Sequence, residues 1–241
     1  MDFYSIHDMI RTIDEIKISF INNLNKIDKI YNWSELDARK TIFLTCIDLC
    51  EQLMLSLALL EHFKSNGLYD KKWWIDWKLI SPEMLNDKIQ NFNVYVQDRC
   101  QTFVGTILDQ LFILSQIYIE SFIRNLGRQF LIEKNEFWKL KKHFLLKKLN
   151  LLEEDLVPLI VLQYIKNTLH NKGIHYNKNY RNLEFSINAE KFIFKHNKPV
   201  MISWNRLKVI LISNSNLIYK IVNIPSVAKL PIFKDQNIIF L

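Results

Sequence analysis

The chain has 241 residues, of which 49% are hydrophobic and 13% aromatic, so it can bury a sizeable core and is not expected to be disordered. Only four glycines and five prolines are present, too few turn-forming residues for an all-β protein. The net charge of +7 is unevenly spread: residues 1–133 hold 14 Lys/Arg against 18 Asp/Glu, whereas residues 134–241 hold 18 against 7, a balance of +11. A polyanion would bind this basic half, because lysines and arginines near phosphates release counterions, although a lysine-rich surface also serves solubility alone.

The sequence favours a cytoplasmic protein without a membrane partner. Its first residues, MDFYSIHDMIRTIDEI, carry acids early and lack the cationic start and apolar stretch of a secretory signal. The most apolar segments are residues 53–60, which are too short to span a bilayer, and residues 102–119, which Asp109, Gln110 and Gln116 interrupt. Both segments are therefore interpreted as buried helix.

The three cysteines are predicted to be reduced packing residues. Cys46, Cys50 and Cys100 form no Cys-x-x-Cys pair, and an odd number does not fit a disulfide framework. Cys46 and Cys50 could face each other on a helix, but a zinc site needs further ligands that the sequence does not place. We therefore expect no metal and no other cofactor. The chain also lacks a Gly-rich phosphate loop and a Gly-x-Ser-x-Gly elbow, which argues against nucleotide hydrolysis and acyl transfer.

Hydrophobic periodicity predicts two long helices at the start of the chain. Apolar residues at helical spacing predict the first over residues 3–30. Ser34, with Asp37 three residues later, predicts the start of the second. That helix continues to Phe63 and stops at Asn66-Gly67.

The middle of the chain contains three more predicted helices. Residues 68–99 are ambiguous, except that Pro82 suits the first position of a helix. The tryptophans of this region could stack on nucleic-acid bases, but burial in a core is the favoured interpretation for Trp73, Trp74 and Trp77. Helices are predicted over residues 101–129, residues 136–149, and from Val157-Pro158 to Asn171-Lys172-Gly173.

After Gly173 the spacing of hydrophobic residues changes from that of a helix to that of a strand. Residues 183–187 and 192–194 alternate or cluster like strands, and residues 195–199 supply a turn leading into a further short strand at 200–202. Ser203 then caps a last helix that runs to Val222. The predicted fold is mainly α: a bundle of four or more long helices with a small β-hairpin patch and a final helix. Since no repeat or linker appears, residues 1–241 are predicted to form one domain with a β/α appendage from about residue 183.

The string Tyr164-Ile-Lys166-Asn167-Thr-Leu-His170-Asn171-Lys-Gly173 contains the residues most suited to chemistry. Lys166 and His170 are four apart and therefore share a helix face, with Asn167 beside them. RNA cleavage without metal needs groups that accept and donate protons and a cation near the phosphate, and histidine and lysine can supply these. The same residues also complement the negative end of a helix, and Asn-x-Gly ends one, so helix termination alone remains an alternative. His175, further along, is interpreted as a loop residue.

Long helices followed by this string resemble the HEPN superfamily, helical bundles of prokaryotic toxin, defence and RNA-processing systems. The family signature is Arg, a polar residue such as Asn, and then His. Here Lys166 stands in place of the Arg. The spacing from Lys166 to His170 is shorter than the family's spacing from Arg to His, and Asn171 occupies the common His position. The resemblance implies metal-independent endoribonuclease activity with Lys166, Asn167 and His170 as catalytic residues. It also implies a homodimer that repeats the motif, and an antitoxin or effector protein as partner.

The departures from the signature leave a second hypothesis open, a non-catalytic HEPN-like module that binds RNA or a protein. Lysine lacks the bidentate fork of arginine, which would weaken transition-state stabilisation. A third hypothesis is a helical interaction protein without any link to RNA.

A basic segment is the predicted RNA contact. At about 100° per residue, Lys139, Lys142, His143 and Lys147 share one arc of a helix, and Lys172 follows the chemical motif. Lys141 and Lys148 fall on the other side, so a solvated basic surface is the alternative interpretation.

Overall fold

A computed structural model describes residues 5–87, 89, 91–132, 136–176, 179, 181–200 and 202–234. The predicted fold class is confirmed, since helices dominate and the only sheets in the described part of the chain are two small pairs of strands. The helices are α1 (Ile6–Ile30), α2 (Ala38–Ser65), α3 (Lys71–Asp76), α4 (Pro82–Asp87), α5 (Phe92–Gln129), α6 (Phe137–Leu140), α7 (Val157–His170), α8 (Trp204–Val222) and α9 (Pro225–Ala228). The strands are β1 (Ile174–His175), β2 (Leu183–Ile187), β3 (Glu190–Phe194) and β4 (Lys198–Pro199).

Five long helices enclose the main core. Each packs on the next in a closed ring, in the order α1, α2, α5, α7 and α8, and α8 returns to α1. Every helix of the ring contributes a large side chain with no exposed surface: Ile13, Phe43, Phe112, Leu162 and Ile218. Burying a side chain of this size stabilises the fold by about 1.5–3 kcal/mol relative to leaving it in water. The bundle therefore rests on apolar packing, as the periodicity predicts.

The first two helices begin with side-chain caps, one of which differs from the prediction. The Ser5 hydroxyl accepts the N–H of Asp8 at 3.1 Å and the Asp8 carboxylate accepts the N–H of Ser5 at 3.3 Å, so α1 starts with a capping box. The predicted start at residue 3 lies outside the described residues. For α2 the predicted cap, Ser34, is wrong: Asp37 accepts the N–H of Arg39 at 2.9 Å, and the Ser34 hydroxyl instead accepts the N–H of Leu36 in the preceding turn.

The ambiguous region at residues 68–99 forms a second, smaller core. The helix α4 begins with Pro82, as predicted, and α5 begins at Phe92, nine residues earlier than predicted. Trp74 is buried there, and its indole N–H donates to the carbonyl of Leu68 at 2.6 Å. The predicted packing role is thus confirmed for Trp74, whereas Trp77 is 68% exposed. The buried members of this cluster are Leu68, Trp74, Ile80, Phe92, Val96 and Cys100.

The predicted helix over residues 136–149 is only partly α-helical. The four residues of α6 lead into a wider, π-type turn over Lys141–Leu146. Phe144 and Leu145, which are neighbours in the chain, are both fully buried. The winding of this segment therefore differs from the α-helical spacing from which the basic arc is predicted.

The C-terminal strands form two antiparallel pairs. The strands β2 and β3 make the predicted hairpin, which turns at Asn188 and Ala189, both with positive φ. Ile187, Phe192 and Phe194 belong to the same core cluster as the bundle. The predicted strand at 200–202 is wrong for residues 200 and 202, which are not in a strand, and residue 201 lies outside the described residues. Instead β4 pairs with β1, placing His175 opposite Lys198.

Two helices, α2 and α5, are long and apolar enough to cross a membrane. This is weak evidence for a membrane protein, because the core helices of soluble proteins pass the same test. Within the most apolar stretch, 44% of α2 residues and 33% of α5 residues are buried in the protein. Leu55, Leu59 and Phe63, at four-residue spacing, form an exposed apolar stripe on α2.

The cysteines are free thiols and all three are buried, as the packing interpretation predicts. Burial raises the pKa of Cys50 to about 12, and burial also raises the pKa of Cys46 and of Cys100. Since the thiolate is the reactive form, the three side chains are poor nucleophiles in the folded protein.

Candidate functional site

The chemical motif lies in the last turn of α7. This helix ends at His170, and the N–H of Gly173 donates to the carbonyl of Thr168 at 2.9 Å, closing the turn beyond the helix end. Lys172 and Gly173 both have positive φ, at 56° and 81°. The predicted stop at residues 171–173 is therefore confirmed, and the left-handed pair turns the chain directly into β1.

Gly173→Ala is expected to destabilise the protein by about 1 kcal/mol, because an L side chain is strained at this φ. The melting temperature should fall by about 2–4 °C for a chain of this size. Gly105→Ala is the matched control, and its expected effect on stability has the opposite sign. Gly105 lies inside α5, where an added Cβ would contact nothing within 4 Å, so alanine there should stabilise by roughly 0.5–1 kcal/mol. Equal melting temperatures for the two variants would contradict the predicted strain.

The three predicted catalytic residues are brought together as the spacing predicts. Asn167 and His170 are exposed and Lys166 is half-buried, all within the last turn and a half of α7. The carbonyl of Asn167 accepts the N–H of Asn171, so its backbone belongs to the helix end while its side chain faces solvent. An exposed imidazole beside a lysine and an amide can exchange protons with a bound molecule and hold an anion.

Three of the four residues of the predicted RNA-binding arc are exposed. Lys139 is half-buried and ion-paired with Glu136 at 2.5 Å, so part of its charge is offset. Lys142, His143 and Lys147 are exposed, but so is Lys148, which α-helical spacing puts on the opposite side. Their common exposure follows from the π-type turn and its end, where the spacing per residue differs from that of an α-helix.

Lys141 does not belong to that exposed surface. Burial lowers the pKa of Lys141, and the nearby Glu153 acts in the opposite direction. Lys172, the remaining predicted RNA contact, is exposed at the end of α7, directly after the chemical motif. Two basic surfaces therefore result, one at residues 142–148 and one beside His170.

His175, interpreted from sequence as a loop residue, is a buried strand residue, so that interpretation is wrong. It is 2% exposed, and its ring lies 5.5 Å from the ring of Tyr164 and 5.4 Å from that of Phe194. Within the described residues its Nε2 has no hydrogen-bond partner. Burial lowers the pKa of His175, and the positive charge of His196 lowers it further. A two-residue strand leaves too short a pattern in sequence to be recognised.

His175 is expected to make the protein less stable below about pH 6.5, where the unfolded chain takes up a proton that the folded chain resists. Above that pH the side chain is neutral in both states and has no such effect. His175→Phe should reduce the loss of unfolding free energy between about pH 7.5 and 5.5, measured by urea denaturation at each pH. A packing change alters the free energy of unfolding equally at both pH values. Only the difference between the two free energies therefore reports on the protonation of His175. An unchanged difference would contradict this role for His175.

A cleft of about 320 Å³ lies elsewhere, at the other end of α7. It is lined by Asp155, Pro158, Asn188 and Lys220 among others, and none of the predicted site residues lines it. The two ends of this 14-residue helix are about 20 Å apart. Lys220 donates to both oxygens of Asp155 at 2.7 Å, so these two charges offset each other, and Glu154 leaves the cleft lining with a net negative charge. The motif at the C-terminal end is therefore the stronger candidate site.

Comparison of the chain with models of known protein families, with curated proteins and with solved structures found no match.

Proposed function

We propose that this protein is a HEPN-like, RNA-binding protein that cleaves RNA without a metal ion. The observation that carries the proposal is the exposure of Asn167 and His170 in the last turn of α7, with the half-buried Lys166 beside them and Lys172 just beyond. The basic second half of the chain supports binding of a polyanion.

In the proposed reaction the 2′-hydroxyl of one nucleotide attacks the adjacent phosphorus and the bond to the 5′-oxygen breaks. The products are a 2′,3′-cyclic phosphate and a 5′-hydroxyl. His170 exchanges a proton with the attacking or the leaving oxygen, Lys166 stabilises the charge that builds on the phosphate, and Asn167 orients it. One histidine serves one proton transfer, so a homodimer that places a second His170 at the same phosphate would supply both.

The alternative function is a non-catalytic HEPN-like module that binds RNA or a protein. One observation favours it: Lys166 is half-buried and offers a point charge, whereas arginine offers a bidentate fork. In either case an antitoxin or effector protein is the expected protein partner, and the cytoplasm is the expected compartment.

Binding of a labelled, unstructured RNA at increasing salt, with a chelator present, tests the proposal. The logarithm of affinity should fall with the logarithm of salt concentration with a slope of about −0.7 for each neutralised phosphate. The double variant Lys142→Ala/Lys147→Ala should have a shallower slope. Lys29→Ala/Lys72→Ala, which removes two exposed lysines from the acidic half, is the control.

Cleavage is followed on the same RNA by gel electrophoresis, and dimerisation by light scattering. Metal-independent cleavage supports the endoribonuclease, whereas binding without cleavage supports the non-catalytic module. If the wild-type protein neither binds nor cleaves RNA at low salt, the RNA function is wrong.

A further inference from the structure

An aromatic pair, the exposed Tyr176 and the half-buried His196, lies beside the chemical motif. Tyr176, directly after β1, is 56% exposed, and its ring lies 6.2 Å from the ring of His196 at an interplanar angle of 79°. With more than half of its surface exposed, the tyrosine side chain is accessible to a ligand from solvent. Neither residue was singled out by the sequence patterns, because they are twenty residues apart and meet only through the pairing of β1 with β4.

The turn that holds His196 is fixed by backbone hydrogen bonds. The N–H of Asn197 donates to the carbonyl of His175 at 2.7 Å, and the N–H of His196 donates to the side-chain oxygen of Asn182 at 3.1 Å. The N–H of Val200 donates to the carbonyl of Gly173 at 3.0 Å, which joins the same turn to the end of α7. The aromatic pair and the helix end that bears His170 are thus parts of one connected surface.

The charge of this surface has a single sign. Lys172, Lys195 and Lys198 are exposed around the pair. The two chain segments that build the surface, residues 166–176 and 195–200, contain no Asp or Glu. Proteins bind single-stranded nucleic acid with exposed aromatic rings between lysines, the bases lying on the rings and the phosphates on the cations.

We infer that Tyr176 and His196 form a base-binding platform for single-stranded RNA, with Lys172, Lys195 and Lys198 holding the flanking phosphates. A base stacks on the ring of Tyr176, and His196 supports the tyrosine ring from its side. This inference rests on the proposed RNA function and adds the form of the ligand: a duplex keeps its bases stacked on each other and cannot present one to the ring. The stacked base would set which phosphate lies near His170.

The test measures binding of a 2′-O-methyl oligoribonucleotide, which lacks the attacking hydroxyl and so stays intact. Tyr176→Ala should weaken binding about 5- to 100-fold, the usual effect of losing one base–aromatic stack, while Tyr176→Phe should bind like wild type. The matched control is Tyr69→Ala, which removes a tyrosine of similar exposure, 46%, from the acidic half of the chain. Circular dichroism checks that each variant is folded, as an exposed side chain should allow.

A second measurement moves a single abasic position along the oligonucleotide. At the stacked position, removing the base and replacing Tyr176 by alanine should weaken binding by the same factor. The two changes combined should weaken binding no more than either change alone. Additive losses at every position would overturn the platform.

Three outcomes separate the platform from the proposed function. If wild type binds single strands and Tyr176→Ala binds equally well, the platform is wrong and the RNA function stands. Tighter binding of duplex RNA than of single strands also overturns the platform alone. If wild type binds no RNA at low salt, the proposed function fails, and the platform fails with it.

Discussion

His170→Ala is expected to reduce RNA cleavage about a hundredfold to ten-thousandfold, the usual cost of losing a general acid or base. RNA affinity should change little, because the proposed RNA function assigns most of the binding energy to lysines elsewhere on the basic half. The measurement is single-turnover cleavage in the presence of a chelator, together with binding of uncleavable RNA. A loss of cleavage with retained binding is the signature of a catalytic residue.

The matched control is His62→Ala. His62 is an exposed histidine in the last turn of α2, so it has the same position in its helix as His170 but lies in the acidic half of the chain. It should leave cleavage unchanged. Equal activity of wild type and His170→Ala would show that His170 is not catalytic and that any activity belongs to another group or to a contaminant.

Lys166 offers an independent check on the same site. If it replaces the arginine of the family signature, Lys166→Arg should raise cleavage, since the guanidinium can hold two phosphate oxygens at once. Unchanged cleavage in a variant that binds RNA normally would contradict a direct role for this side chain at the phosphate.

The long helices could be predicted from sequence because each one buries a stripe of apolar residues at helical spacing. The first turns of α5 could not be predicted in this way. Val94 is exposed there, and the buried residues of these turns pack on residues much earlier in the chain, including Leu68 and Trp74. Periodicity reports burial along one element, and it cannot show a small core that several short elements share.

The candidate site was predictable only in part. The convergence of Lys166 and His170 follows from local helix geometry and could be read directly. The burial of His175 and the contact between Tyr176 and His196 depend on the two-residue pairing of β1 with β4, which no local pattern encodes. The position of the lysines at 142–148 depends on a π-type turn, which spacing rules for α-helices do not anticipate.

Another feature absent from the sequence patterns is a buried ion pair, Asp37–Arg39, at the start of α2. Arg39 is 1% exposed, and its Nε and Nη2 donate to the Asp37 carboxylate at 2.8 and 2.6 Å. Its Nη1 donates to the carbonyls of Val227, Ala228 and Leu230 at 2.9–3.1 Å. One guanidinium therefore joins α2 to the chain that follows α8, and its bonds to Asp37 and to the carbonyl of Val227 are buried.

Arg39→Met is expected to destabilise the protein by about 3–5 kcal/mol, because it leaves the Asp37 carboxylate buried without its cation and three carbonyls without a donor. For a chain of this size the melting temperature should fall by roughly 6–20 °C, measured by calorimetry or by circular dichroism. The control is Arg11→Met, which breaks an ion pair with Asp8 whose arginine side chain is 72% exposed, and should cost less than about 1 kcal/mol. Adding Asp37→Asn to Arg39→Met should recover part of the loss, since asparagine keeps the helix cap and removes the unpaired charge. If Arg39→Met melted like Arg11→Met, the buried pair would not hold the C-terminal chain to α2.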